Sequence, residues 1–275
     1  MKTKNPSPQA TPTRPLLRYF GGKWRIAPWI ISHFPVHRIY VEPFGGAASV
    51  LLRKPRSRNE IYNDMDGELV NLFRVARDNG DELSRLVSLT PVARDEFDLS
   101  YQPTDDPIEQ ARRTVIRSFM AFGSSGQRKS RTGFGATSRR GKWTNYHHNL
   151  IAIIERLQNV IIENKPAIDI MLQQDSPQTL HYVDPPYVPE TRTIGVYRHE
   201  MTKEDHNNLA DVLHNLKGMV VLSGYRSNLY DLLYSDWERV EKTTYAEGRR
   251  QGTRQRTECL WLSPNCQNKP TLFEI

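Results

Sequence analysis

Cysteine is scarce in this chain. Cys259 and Cys266 are the only two, too few for a disulfide framework or a four-ligand zinc site. Their scarcity leads us to expect a reduced, cytoplasmic compartment. Long apolar runs are missing too: none approaches the roughly 18 residues of a membrane span. Met1 to Arg14 lacks the apolar stretch of a secretion signal, so no membrane association is expected. No internal repeat is visible. His147-His148 stand without further His, Cys or acids at ligand spacing, and read as a surface or partner-facing pair, so no metal is expected. What is present suffices for a core: 275 residues, 37% hydrophobic and 25% charged, fit one large domain or a domain carrying an insertion.

Acid is missing where base is dense. Between Arg112 and Lys142 lie nine basic residues and no Asp or Glu; between Gly248 and Thr257 lie four more, again without an acid. The chain as a whole is +7, yet acids outnumber bases outside these two segments. Such segments suit a polyanion, because each phosphate they neutralise releases counterions. The alternative is a solvated face with strong positive character. Both segments are rich in Gly or Ser, as in Gly123-Ser124-Ser125-Gly126.

Residues 1–14, with Pro6, Pro8 and Pro12 among Thr, Ser and Lys, read as a disordered tail. Short β-rich runs then alternate with helical patterns. Ile39-Tyr40-Val41, Glu60-Ile61-Tyr62, Val160-Ile161-Ile162, Leu180 to Val183 and Met219 to Leu222 read as strands. Ala47 to Arg53 reads as the start of a helix, and Asp66 to Arg77 as a helix with Leu69, Leu72, Phe73 and Ala76 on one face. Thr202 to Lys217 is the clearest helix, with a Thr202/Asp205 capping box, an apolar stripe and Gly218 as its stop. This alternation predicts an α/β fold: a mostly parallel, Rossmann-like sheet with helices on both faces. Residues 90–149 break the rhythm and read as an inserted, mainly helical subdomain between segments 15–89 and 150–275, which form the main α/β domain. Glu238 to Thr244 and Thr257 to Leu262 look like two strands joined by the second basic loop. Asp105-Asp106 read as a helix-start loop, Tyr230, Tyr234 and Trp237 as core, and His206 as an exposed neighbour of a capping Asp205.

Two motifs carry chemistry. Val41-Glu42-Pro43-Phe44-Gly45-Gly46-Ala47-Ala48-Ser49 runs from a strand into a turn at the sheet's carboxyl edge, where α/β sheets bind cofactors and glycine permits close approach. It lacks the G-x-G-x-x-G spacing of a pyrophosphate loop. About 20 residues on, Asp64 ends the next strand, where a carboxylate can accept from ribose hydroxyls. The second motif, Asp184-Pro185-Pro186-Tyr187, follows the strand Leu180 to Val183. Its prolines remove donors and fix φ, leaving a carboxylate, a carbonyl and an aromatic ring at set spacing. That set suits a planar base with an exocyclic amine.

With these motifs in order, and with Arg18-Tyr19-Phe20-Gly21-Gly22-Lys23 before them, the chain resembles the Dam-type, adenine-specific DNA N6-methyltransferases of the phage and prophage kind. The resemblance runs from about Leu17 to Pro264. It implies a class I methyltransferase fold, S-adenosylmethionine as cofactor, double-stranded DNA as partner and a flipped adenine as target. Asp184, Pro185 and Tyr187 become the catalytic candidates. Tyr19, Lys23, Glu42, Phe44, Gly45, Asp64 and Asp184 become those for the cofactor. Arg128, Lys129, Arg131, Arg139, Arg140, Lys142, Arg249 and Arg250 are the candidates for DNA, and Arg192, Tyr197 and Arg198 lie in a loop that could close over the base. Residues 90–149 fall where this family places target recognition. An RNA or protein-amide N-methyltransferase, or an inactive DNA-binding relative, would share parts of this pattern; Asp at position 184, where amide methylases usually begin the motif with Asn, favours adenine. A partner restriction endonuclease is not legible in the residues.

Overall fold

The β-branched runs become strands and the 3.6-residue stripes become helices in the computed structural model, which describes residues 11–122, 132–135, 146–191, 198–247, 253–267 and 270–272. In chain order these are α1 (Ala27–Ile31), β1 (Ile39–Glu42), β2 (Asn59–Asn63), α2 (Gly67–Asp78), α3 (Gly80–Leu89), α4 (Arg94–Leu99), α5 (Pro107–Met120), α6 (Tyr146–Leu157), β3 (Val160–Glu163), α7 (Ala167–Gln173), β4 (Thr179–Val183), α8 (Lys203–Asn215), β5 (Met219–Tyr225), α9 (Asn228–Leu233), β6 (Glu238–Glu247) and β7 (Thr253–Leu262). The sheet order is β3-β2-β1-β4-β5-β7-β6. The expected α/β architecture is borne out: β1 runs parallel to β2 and β4, β4 runs parallel to β5, and β7 and β6 close the sheet antiparallel. All five residues of β4 are buried, as befits a central parallel strand covered on both faces.

The chain divides into two compact units. One comprises residues up to Ala27, Gly46–Lys54 and Asp66–Ile162; the other comprises Pro28–Gly45, Pro55–Met65 and the chain from Glu163 onward. The boundary falls inside the first motif, between Gly45 and Gly46. In the second unit, successive residues of β1 face opposite sides. Val41 packs with Ile61 and with Ile170 of α7, while the Tyr40 ring lies 5.9 Å from Phe34. A further core joins Leu209 and Leu213 of α8 to Val220, Leu222, Tyr230, Tyr234, Trp237 and Trp261, so the three aromatics assigned to the core belong there.

In the first unit α2 begins at an Asp66 cap and buries Leu69, Leu72, Phe73 and Ala76, as the stripe predicts. Asp106 caps α5, accepting from the Ile108 and Glu109 backbone N–H groups, with Pro107 in the first turn. Gly80 of α3 is needed for packing, since a Cβ there would lie 2.5 Å from Ile154 of α6. Between Thr90 and Asn149 the described residues hold α4, α5 and the start of α6, with a single β-bridge from Ala121 to Phe134. Thr13 and Arg14 donate backbone N–H groups to Asn149 Oδ1 at 2.9 and 3.0 Å, so order begins before Pro15.

Three local expectations are corrected. Ala47 to Arg53 forms irregular turns rather than a helix, because Gly46 (φ 48°) and Ala48 (φ 50°) are left-handed and interrupt the helical backbone. The helix after Thr202 keeps its capping box but ends at Asn215. Gly218 serves instead as a close-approach residue, since a Cβ there would sit 2.8 Å from the Thr179 carbonyl oxygen. His206 is fully buried, not exposed, and its Nδ1 lies 3.1 Å from the Tyr230 hydroxyl.

Candidate active site

β1 delivers Glu42 to the carboxyl edge of the sheet, 2% exposed, where it accepts from the Tyr40 hydroxyl at 2.8 Å. Burial first, then the Glu42 carboxylate, pushes that hydroxyl well above the usual tyrosine range. The loop beyond is clamped by fully buried Asn63 at the end of β2. Asn63 Nδ2 donates to the Pro43 carbonyl at 2.9 Å, and its own carbonyl accepts from Gly45 N at 2.8 Å. Gly45 is obligatory there, because an added Cβ would lie 2.1 Å from Tyr62 Cε2. Asp64 follows β2 directly, half-buried, with its carbonyl accepting from Asn164 Nδ2 at 2.7 Å. Phe44 is half-buried and packs on the core that contains Trp261.

In the other unit, the turn from Tyr19 to Lys23 is closed by Gly22 N donating to the Tyr19 carbonyl and by a left-handed Gly21 (φ 72°). Lys23 is buried, and its Nζ donates to the Gly21 carbonyl at 2.9 Å. Gly46 meets this turn: a Cβ there would lie 3.0 Å from Tyr19 Cε1, and Gly46 itself is left-handed.

Asp184 leaves the end of β4 half-buried, followed by buried Pro185, half-buried Pro186 and buried Tyr187. Because β1 and β4 pair in parallel, Glu42 and Asp184 end neighbouring strands on the same edge. Tyr182 registers their convergence. Burial, then the carboxylates of Asp184 and Glu42, drives its hydroxyl well above the ordinary range. Tyr187 faces inward: its hydroxyl donates to Glu258 Oε2 at 3.0 Å and lies 3.2 Å from Ser223 Oγ. Its ring meets Tyr225 edge-on, with centroids 4.6 Å apart. Beyond Tyr225 opens a groove of about 990 Å³ lined by Lys203, Tyr225, Arg226, Asn228, Arg256 and Thr257, among others. The Arg256 guanidinium lies over the Tyr225 ring and donates to its hydroxyl at 3.0 Å.

Among these, Ser223, Tyr225, Glu258 and Asn63 are given no role by the sequence alone. One signal for Glu258 was available, an acid directly ahead of the apolar run Cys259 to Leu262. Cys259 is buried, and burial pushes its thiol up to about 11, which makes it a poor nucleophile at neutral pH. Among the described residues no three His, Cys, Asp or Glu side chains gather as a metal site would require.

The basic segment divides. Arg112, Arg113 and Arg117 all lie on α5 and engage acids of their own unit. Arg112 pairs with Glu96 at 2.7 Å and Glu109 at 2.6 Å, Arg113 with Glu109 at 2.7 Å, and Arg117 with Glu68. The charge of these three is therefore met inside the protein. Arg128, Lys129, Arg131, Arg139, Arg140, Lys142, Arg249 and Arg250 lie outside the described residues, as do Arg192 and Tyr197; Arg198 is half-buried.

Residues 19–249 match the family described as D12 class N6 adenine-specific DNA methyltransferase. The Type II methyltransferase M1.LlaDCHI of Lactococcus lactis subsp. cremoris is 28% identical over 258 residues, covering 84% of this chain and 88% of that protein. The DNA adenine methylase of Escherichia coli (strain K12) is 27% identical over 265 residues, 90% of this chain and 94% of the relative. The DNA adenine methylase of Haemophilus influenzae is 38% identical over a shorter stretch of 69 residues, 25% of this chain and 24% of that one.

Proposed function

Because the chain belongs to the D12 class N6 adenine-specific DNA methyltransferases, we propose that it takes its methyl group from S-adenosylmethionine and places it on the exocyclic amine of an adenine extruded from duplex DNA. The observation that carries this reading is the stiff Asp184-Pro185 corner at the end of β4, beside the buried Glu42 carboxylate at the end of β1.

The donor set suits that cofactor. Glu42 and Asp64 present carboxylates after successive strands, where ribose hydroxyls can donate to them. The Lys23 ammonium suits the methionine carboxylate, and an aromatic such as Tyr19 attracts a sulfonium through its ring face. Phe44, Gly45 and Asp184 complete the set. When bound, S-adenosylmethionine supplies a methyl group activated by positive charge on sulfur.

The chain's own residues do the rest. An adenine amine is a poor nucleophile because its lone pair is delocalised into the ring. The Asp184 carboxylate and the Pro185 carbonyl accept hydrogen bonds from its two N–H groups, draw the nitrogen toward tetrahedral geometry and localise that pair. Tyr187 provides the aromatic wall for the base. Rate then comes from positioning and from acceptors placed in advance, and no covalent intermediate is required. The base must leave the stack to reach this corner. Residues 90–149 serve target recognition, with Arg128, Lys129, Arg131, Arg139, Arg140 and Lys142 on phosphates or base edges and Arg249 and Arg250 on a second contact.

Incubating the purified chain with S-adenosylmethionine and unmethylated duplex DNA, with RNA as a parallel substrate, tests the reading. It predicts N6-methyladenine in the duplex and little in RNA. Transfer to RNA alone, or none to either, would refute it.

A further inference from the structure

The two prolines fix the backbone of the 184–187 corner, but they leave the Tyr187 side chain free to change rotamer. Other groups remove that freedom. The hydroxyl donates to Glu258 Oε2 at 3.0 Å, with Ser223 Oγ 3.2 Å away, and Tyr225 abuts the ring edge-on at 78°. The antiparallel register of β5 and β7 assembles these partners. Tyr225 faces Glu258 across the ladder, and Ser223, two residues earlier, projects to the same side of β5. Glu258 is only 8% exposed, at the head of the apolar run Cys259 to Leu262. Packing alone gives no reason for a carboxylate there, since an apolar residue of similar volume would avoid its desolvation cost.

On the adenine-methylation reading above, we propose that Glu258 is a positioning residue for methyl transfer: by holding the Tyr187 hydroxyl, its carboxylate fixes where the ring stands, and the edge-on Tyr225 sets the plane it presents to the target base. Burial holds the Tyr187 hydroxyl protonated far above neutral pH, so the donated hydrogen bond persists across the working range. Glu258 touches neither base nor methyl group in this scheme and acts only through the tyrosine.

A double-mutant cycle tests this, using single-turnover methyl transfer to unmethylated plasmid DNA with saturating S-adenosylmethionine. Glu258→Leu and Tyr187→Phe should each slow the transfer step roughly tenfold, with cofactor affinity by calorimetry changed less than about threefold. The combined variant should be no slower than either single one, and Glu258→Gln, which keeps an acceptor, should recover most of the rate. Losses that multiply in the double variant would overturn the proposal by showing that Glu258 acts otherwise than through the hydroxyl. So would a full rate in Tyr187→Phe, a variant that keeps the ring and is expected to fold. In both cases wild-type transfer to DNA leaves the adenine reading standing, whereas a wild type that transfers nothing to DNA overturns both.

Discussion

Acids at the carboxyl edge of the sheet and bases on α5 are handled in opposite ways. Glu42 and Glu258 are buried and met by tyrosine hydroxyls, from Tyr40 at 2.8 Å and Tyr187 at 3.0 Å. Arg112, Arg113 and Arg117 are met by carboxylates and gain full counter-charges from Glu96, Glu109 and Glu68. A hydroxyl orients an acid without itself supplying a counter-charge. A carboxylate neutralises an arginine, so α5 uses its charge to join helices. A basic run in a sequence is thus not one object: its first three members hold the first unit together, and the remaining six are the candidates for DNA.

That contrast can be broken by measurement. The largest effect is expected at His181, a buried base on β4. Burial lowers it to about 4, against the pull of Asp175, whose carboxylate lies 3.7 Å away. The folded protein therefore keeps His181 neutral while the unfolded chain charges below about 6.5. Stability should fall as pH drops from about 6.5 to 4, by roughly 3 kcal/mol in all. Denaturant titrations at several pH values should show this slope, and His181→Gln should flatten it; equal slopes would show that His181 is not the group responsible.

Next is Arg112→Met, which removes the Glu96 counter-charge and leaves Glu109 with Arg113 alone. Allowing for their partial exposure, it should cost about 2 kcal/mol while leaving turnover per folded molecule and the salt dependence of DNA binding unchanged. A stable variant with weakened DNA binding would move Arg112 to the other side of the comparison. Gly45→Ala should cost a further 1–3 kcal/mol or so, because its methyl group overlaps the Tyr62 ring; a thermally neutral variant would mean that the loop has room to shift. The smallest change is expected in a slope: neutralising Arg139 and Arg140 together should reduce the salt dependence of DNA binding by about two phosphate contacts. An unchanged slope would put those contacts elsewhere.

Much of this was legible in the residues, and what was not had physical reasons. The stripe from Leu69 to Ala76, the Asp106 cap and the Thr202/Asp205 box are local signals, and local energetics decide them. The Asp-Pro-Pro-Tyr corner was legible because proline fixes geometry without help from the fold. Glu258 was hidden because its partner Tyr187 is 71 residues away and meets it only through strand pairing. His206 looked exposed because a capping Asp precedes it, yet helical periodicity turns the next residue inward toward Tyr230. Ala47 to Arg53 has helical composition, but the backbone at Gly46 and Ala48 overrides propensity. Gly218 resembled a helix stop when the true constraint is the neighbouring strand.

The claim on which the account stands is that Asp184 acts on the amine and not on the fold. Comparing Asp184→Ala with wild type for single-turnover methyl transfer, cofactor affinity and denaturation midpoint tests it directly. Transfer should fall at least about a thousandfold, with affinity altered only a few-fold and the midpoint not lowered. Retained transfer, or a loss explained entirely by unfolding or failed cofactor binding, would contradict it.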